Sequence, residues 1–263
     1  MRAAVAVIAF LMTGCASTPP PQAVKDLAPG GTLRAAINVG NAVLAARPAT
    51  PGGEPTGISV DLARELARRL GVPLQLIVFD AAGKVVDAGR TGGWDIAFVA
   101  LDPKRAAEIA QSPPYVQIEG AYLVKNDSPL KSNDEVDRKG HRVVVGRNSA
   151  YDLYLTRELK QAQIVRTPTS GAVVDTMLKE NYEVSAGVKQ ALENDARRIP
   201  GVRLLPGRFM VINQAMASQR NKEAGARYVR EFIEEMKASG FVARAIERHQ
   251  QPSAVVAPPG DPK

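Results

Sequence analysis

Apolar residues recur along this chain in two alternating spacings. Thr32–Asn38 (T-L-R-A-A-I-N), Leu74–Phe79 (L-Q-L-I-V-F) and Asp95–Ala100 (D-I-A-F-V-A) are short runs of strand character. Between the first two lies G-I-S-V-D-L-A-R-E-L-A-R-R-L-G. There Leu62, Leu66 and Leu70 recur every fourth residue beside Ala63 and Ala67, while Arg64, Glu65, Arg68 and Arg69 take the opposite face. That stretch predicts an amphipathic helix with Asp61 as N-cap and Gly71 as its stop. A short helical piece follows around Lys84–Ala88.

A second series repeats the alternation. Strands are expected at Arg142–Gly146, Ile164–Arg166 and Glu183–Gly187, with helices at Tyr151–Leu159 and Gly171–Glu180 and a further segment K-Q-A-L-E-N-D. The run F-M-V-I-N-Q-A-M-A reads as one more strand, and helices at Lys222–Lys237 and Val242–His249 close the pattern. Strands separated by helices imply right-handed crossovers and a mostly parallel sheet, hence an α/β protein of two halves.

Composition narrows the function classes. With 263 residues, 45% of them apolar, the chain can bury a large core. The ends differ from the middle. M-R-A-A-V-A-V-I-A-F-L-M-T-G-C carries one basic residue, a ten-residue apolar run and small residues before Cys15, which suits an export signal and is too short to span a bilayer. Its ending resembles a bacterial lipoprotein signal, in which cleavage leaves Cys15 as a lipid-modified N-terminus. An ordinary signal with an incidental cysteine is the alternative. Residues 16–29 then read as a tether, and residues 251–263, Q-P-S-A-V-V-A-P-P-G-D-P-K, as a disordered tail.

Cys15 is the single cysteine, so no disulfide or cysteine-based zinc site can form. His141 and His249 lack a neighbouring ligand pattern, and neither a metal nor another cofactor is expected. Loss of residues 1–14 would remove Arg2 and lower the formal charge by one, from +7 to +6. The basic residues are scattered and aromatics make up 5%, which gives no stacking platform for nucleic acid.

The order of G-I-S-V-D-L-A-R-E-L-A-R-R-L-G, W-D-I-A-F-V-A-L-D-P-K-R-A-A-E-I-A-Q-S-P-P-Y, A-Y-L-V-K-N and E-F-I-E-E-M-K-A-S-G-F-V-A-R-A-I-E-R resembles the extracytoplasmic solute-binding proteins of ABC importers, polar amino acid type (family 3), over roughly residues 30–250. The resemblance implies the two-lobed periplasmic-binding-protein fold (type 2), with a cleft between the lobes and two hinge strands. Lobe one would take residues 30–124 and 213–250, and lobe two residues 125–212. Tyr122–Lys125 and Met210–Asn213 would be the hinge crossings.

The resemblance also points to site residues. The family's S-x-T-x-x-R stretch falls on A-L-D-P-K-R, residues 100–105, so Arg105 is expected to anchor a ligand carboxylate, with Asp102 orienting it. Ala100 and Asp102 replace two hydroxyls. The alternative is that Asp102 caps a helix begun by Pro103 and that Arg105 pairs with it or with solvent. The acid that pairs with a ligand ammonium falls on Val188, with Lys189 next to it, which puts an ordinary α-amino acid in doubt. Ser149 and Tyr151, after the strand Arg142–Gly146, offer a helix start. Asn38 and Asn41 follow the first strand, where Asn41 could hydrogen-bond the ligand or simply turn the chain. Glu119 and Tyr122 flank the first hinge, and Trp94 is expected in the core or rim.

Three function classes follow. The leading one is a lipid-anchored, monomeric solute receptor at the periplasmic face of a membrane, binding a small polar carboxylate-bearing solute and serving importer membrane subunits. The second is an enzyme on the same scaffold, such as a cyclohexadienyl or arogenate dehydratase, for which Glu119 is the candidate general acid. The third is a solute-sensing lipoprotein.

Overall fold

The structure, a computed structural model, describes residues 18–48 and 50–260. Cys15, the signal segment and the first residues of the expected tether lie outside the described residues. In chain order the elements are α1 (Pro21–Leu27), β1 (Leu33–Asn38), α2 (Ile58–Leu70), β2 (Leu74–Phe79), α3 (Ala82–Gly89), β3 (Ile96–Ala100), α4 (Pro103–Ala106) and β4 (Ile109–Lys125). They continue with β5 (Arg142–Gly146), α5 (Ala150–Glu158), β6 (Gln163–Thr167), α6 (Val173–Lys179), β7 (Val184–Val188), α7 (Lys189–Arg198) and β8 (Val202–Leu204). The last elements are β9 (Met210–Gln219), α8 (Glu223–Ala238), α9 (Phe241–Arg248) and β10 (Val255–Val256).

The strands run in the order β2-β1-β3-β9-β4-β7-β5-β6. Strands β2, β1 and β3 are parallel and end on antiparallel β9; β6, β5 and β7 are parallel and end on antiparallel β4. Each lobe is therefore a parallel α/β sheet closed by one strand of the crossing pair. Helices cover both faces, so β3 is buried at every position and reads as an unbroken apolar run.

Strand β4 pairs with β9 over Ile109–Gly120 and meets β7 from Gly120 to Leu123. The first crossing thus lies at Ile118–Glu119, several residues before the expected Tyr122–Lys125, and the lobe boundary placed at residue 124 moves back with it. Tyr122 already belongs to the second sheet, opposite Ala186. The second crossing is formed by Met210–Asn213, which face Gly120–Gln117.

Local chemistry explains two further differences. Helix α2 starts at Ile58, one turn earlier than expected, with Gly57 at its N-cap. Gly57 has φ +138°, and a Cβ there would lie 2.3 Å from the Leu44 carbonyl oxygen, so only glycine lets the chain pass. Asp61 sits within the first turn, where its carboxylate takes Arg248 at 2.6 Å and His249 at 2.8 Å. Gly71, at φ +68°, ends the helix as expected.

Both supposed flexible ends are built into lobe one. From Pro21 the tether is helix α1, whose Ala23 and Leu27, four residues apart, are fully buried against α8. Asp26 accepts the Gly225 amide at 3.1 Å. In the tail, β10 pairs with Val116–Gln117 of β4, and Ala254 and Ala257 are buried. Trp94 is a core residue whose indole donates to the Val85 carbonyl at 2.7 Å.

Docking of α1 has a measurable cost. Leu27→Ala should destabilise the fold by about 2–4 kcal/mol through lost burial and the cavity left behind. The exposed Gln22→Ala should change it by under ~0.5 kcal/mol. Urea unfolding checks this, and a free tether would make both changes silent.

Candidate functional site

The end of β3 sets the site. After Ala100 and Leu101, Asp102 caps α4: its Oδ1 accepts the Lys104 amide at 2.9 Å, and Pro103 occupies the first helical position. This single turn swings Arg105 back into the interior, where it is 2% exposed. Its Nη1 donates to the Ala100 carbonyl at 3.0 Å and its Nη2 crosses the cleft to the Asn148 carbonyl at 2.8 Å.

The expected Asp102–Arg105 pairing is not formed. Asp102 Oδ2 instead takes Arg157 Nη1 of α5, in the other lobe, at 2.9 Å. Asp102 still acts on Arg105 through space, but burial is the larger effect and lowers the guanidinium to about 10. It stays protonated at neutral pH, and no carboxylate among the described residues bonds to it. A buried cation with only carbonyl partners is costly, and an incoming anion relieves it.

Lobe two answers with the turn between β5 and α5. Asn148 has φ +55°, which an asparagine tolerates, and this aims its carbonyl at Arg105. Ser149 caps α5 by accepting the Asp152 amide at 3.0 Å, while Asp152 returns a bond by accepting the Asn148 amide at 2.7 Å. Asp152 is 1% exposed and is held by Arg166 at 3.0 Å. A Cβ on Gly146 would lie 2.8 Å from Ser170 Oγ, so glycine lets the loop after β6 close over the turn. Tyr151 then donates to Ser170 Oγ at 2.7 Å, and burial raises its phenol.

These groups line an inner cavity of about 40 Å³ between the lobes. It shares Gly40, Asn41, Tyr151, Ser170 and Val188 with a wider outer cleft of about 330 Å³. Of the residues expected from the sequence, the inner cavity gathers Arg105, Asn41, Ser149 and Tyr151, with Asn38 beside them. Asn41 Oδ1 is buried there without a hydrogen-bond partner.

Gln214 escaped the sequence reading. It lies on β9 opposite Ala100 and Val116, is 6% exposed, lines the inner cavity and makes no side-chain hydrogen bond to a described residue. Its signal was the amide pair Asn213–Gln214 inside the otherwise apolar run V-I-N-Q-A-M-A.

Three expected residues lie elsewhere. Lys189 Nζ meets Glu119 Oε2 at 2.8 Å and Arg208 Nη1 meets Glu119 Oε1 at 2.7 Å, beside the crossing strands, where Glu119 and Lys189 line a neighbouring cavity of about 250 Å³ and not the inner one. These two cations hold the Glu119 carboxyl below the usual range despite some burial. An ionised, doubly paired carboxylate is a poor general acid, which removes the candidate that supported dehydratase chemistry. Tyr122 is 3% exposed and stacks on Phe209 with ring centroids 4.3 Å apart, a core role.

Comparison with known proteins agrees with this architecture. A solute receptor for L-cysteine from Neisseria gonorrhoeae superposes with a TM-score of 0.75 at 19% identity, covering 88% of this chain and 94% of that one. An amino acid ABC transporter substrate-binding protein from Streptococcus pneumoniae bound to L-arginine gives 0.73 at 19% identity, covering 87% and 98%. An ancestral amino acid-binding protein, a precursor of cyclohexadienyl dehydratase, gives 0.71 at 20% identity, covering 86% and 98%. No curated protein sequence matches the chain. The sequence profile of one family matches residues 42–252, most of the chain. The chain belongs to the bacterial extracellular solute-binding proteins, family 3.

Proposed function

We propose that this protein is the solute receptor of an ABC importer and closes its two lobes around a small carboxylate-bearing solute held by Arg105. The observation that carries this reading is the buried, unpaired guanidinium at the mouth of a cavity shared by both lobes. Its planar fork offers further N–H groups beyond the two spent on Ala100 and Asn148. Ser149, Tyr151 and Asn41 complete the set of ligand contacts, and binding needs only a higher affinity for the closed state than for the open one. Turnover is not part of this role; the proteins of known structure described above are solute-binding proteins by name, the dehydratase precursor included.

The solute receptor works outside the cytoplasm, tethered through lipid-modified Cys15 to the periplasmic face of a membrane, as a monomer that delivers its solute to importer membrane subunits. Helix α1 docks on lobe one at Pro21, which leaves only a short link between Cys15 and the folded body.

Two measurements test these points. Thermal unfolding against a panel of carboxylates should show one class raising Tm on the order of ten degrees at about a thousand times its Kd. Arg105→Met should abolish that shift, whereas a shift indifferent to the substitution would remove Arg105 as the anchor. In a bacterial host, Cys15→Ser should release the protein from the membrane fraction and stop incorporation of labelled palmitate. Unchanged membrane association would remove the lipid anchor.

A further inference from the structure

The hydrogen-bonding state of the inner cavity narrows the solute further, resting on the cleft reading above. Among the described residues, Arg105 is the one of full charge lining that cavity. The groups around it are polarised toward donation. The Ala100 carbonyl already accepts two hydrogen bonds, from Arg105 Nη1 at 3.0 Å and Gln111 Nε2 at 3.1 Å. Asn38 Oδ1 accepts the Gly40 amide at 3.0 Å. Ser170 Oγ accepts from Tyr151 and Ser149 Oγ accepts from the Asp152 amide, so each hydroxyl keeps its own proton to give. Two neutral amides, Asn41 and Gln214, make no side-chain hydrogen bond to a described residue, Asn41 Oδ1 being buried without a partner, and both can either donate or accept.

Apart from the neutral Asn41 and Gln214 amide oxygens, this inventory offers an ammonium no partner and no anion. A 2-amino group stands one carbon from its carboxylate, so a carboxylate on Arg105 puts the ammonium in the same cavity. There it meets a like charge, a saturated carbonyl and the apolar Val188, which occupies the lobe-two wall at the end of β7. The acids that line the outer cleft are engaged, Asp80 with Lys84 at 2.7 Å and Asp195 with Arg198 at 2.9 Å, and so are those flanking Arg105, Asp102 with Arg157 and Asp152 with Arg166. Arg47 lines that outer cleft too and adds positive charge.

We propose that the cleft selects a small organic anion with a neutral oxygen substituent beside its carboxylate, a 2-hydroxy or 2-oxo acid, and rejects the matching 2-amino acid. The carboxylate sits on Arg105 and the serine hydroxyls. The amides of Asn41 and Gln214 take the neighbouring hydroxyl or carbonyl, for which a two-way hydrogen-bonding group is suited and a fixed charge is not.

Titration calorimetry on the full chain with matched triplets tests this: lactate, pyruvate and alanine; 2-hydroxyisocaproate, 2-oxoisocaproate and leucine; malate, oxaloacetate and aspartate. In at least one triplet the hydroxy or oxo acid should bind ten or more times more tightly than the amino acid. Val188→Asp should reverse that order by a similar factor, because it supplies the missing anion. Gln214→Glu, nearly isosteric and therefore kinder to the fold, should weaken the oxygen acids at least tenfold by neutralising Arg105. An amino acid that binds the parent chain as tightly as its oxygen partner overturns the proposal and leaves the cleft reading standing. Failure of every compound to bind, with Arg105→Met indistinguishable from the parent chain, overturns both.

Discussion

The arrangement of this molecule turns on one buried positive charge. Arg105 is removed from water at the end of β3, yet its hydrogen bonds go to carbonyls and not to a carboxylate. Desolvation of a guanidinium costs several kcal/mol unless charge is returned to it, and carbonyl dipoles return only part. One of those carbonyls, on Asn148, belongs to the opposite lobe. In the reading proposed above, the same side chain takes up an anion and is served by both lobes. A solute that supplies the anion stabilises the closed state in proportion to the charge it relieves, which is how a ligand shifts a two-state equilibrium.

The surroundings of Arg105 are arranged to keep that charge unmet from within. Asp102 is near enough to lower its cost through space, but its oxygens are spent on the Lys104 amide and on Arg157. Asp152, the buried acid of the facing turn, is turned away from the cleft toward Arg166 and the Asn148 amide. The two nearest carboxylates thus shape the backbone around the site: one caps α4 and the other fixes the turn before α5. Neither competes with a ligand, and each positions a group that touches Arg105 or lies beside it.

Much of this was legible in the sequence, for a physical reason. Parallel strands covered on both faces read as apolar runs, and the residues just past their ends face the crevice; the family resemblance pointed to Asn41, Arg105, Ser149 and Tyr151 at such ends, and the four line one cavity. What failed depended on distant partners. Lys189 also follows a strand end, but Glu119 of the crossing strand pulls it sideways out of the cleft. Tyr122 was assigned to a crossing that lies at Ile118–Glu119, because one long strand carries no local mark of where it changes sheets. Helix α1 and strand β10 looked too proline-rich to order; their docking surfaces are α8 and β4, far away in the chain. Gln214 was hidden by the opposite error, an apolar strand read as wholly structural.

The remaining contacts that bridge the lobes show where the control of closure lies. Arg157–Asp102 is a rim pair whose arginine is 45% exposed, and Ser253–Gln190 links the C-terminal segment to α7 through one exposed hydrogen bond. Beside the crossing, Glu119 with Lys189 and Arg208 is partly open to water. Apart from Arg157–Asp102, whose carboxylate is 3% exposed, these contacts contribute about 0–1 kcal/mol each, and salt screens them further. They can align two lobes already in contact but are too weak to outweigh a buried uncompensated cation. Under the proposed reading the sign of the ligand's charge at Arg105 matters more than its size, because the outer cleft of about 330 Å³ leaves room for side chains of different length while the inner cavity of about 40 Å³ does not.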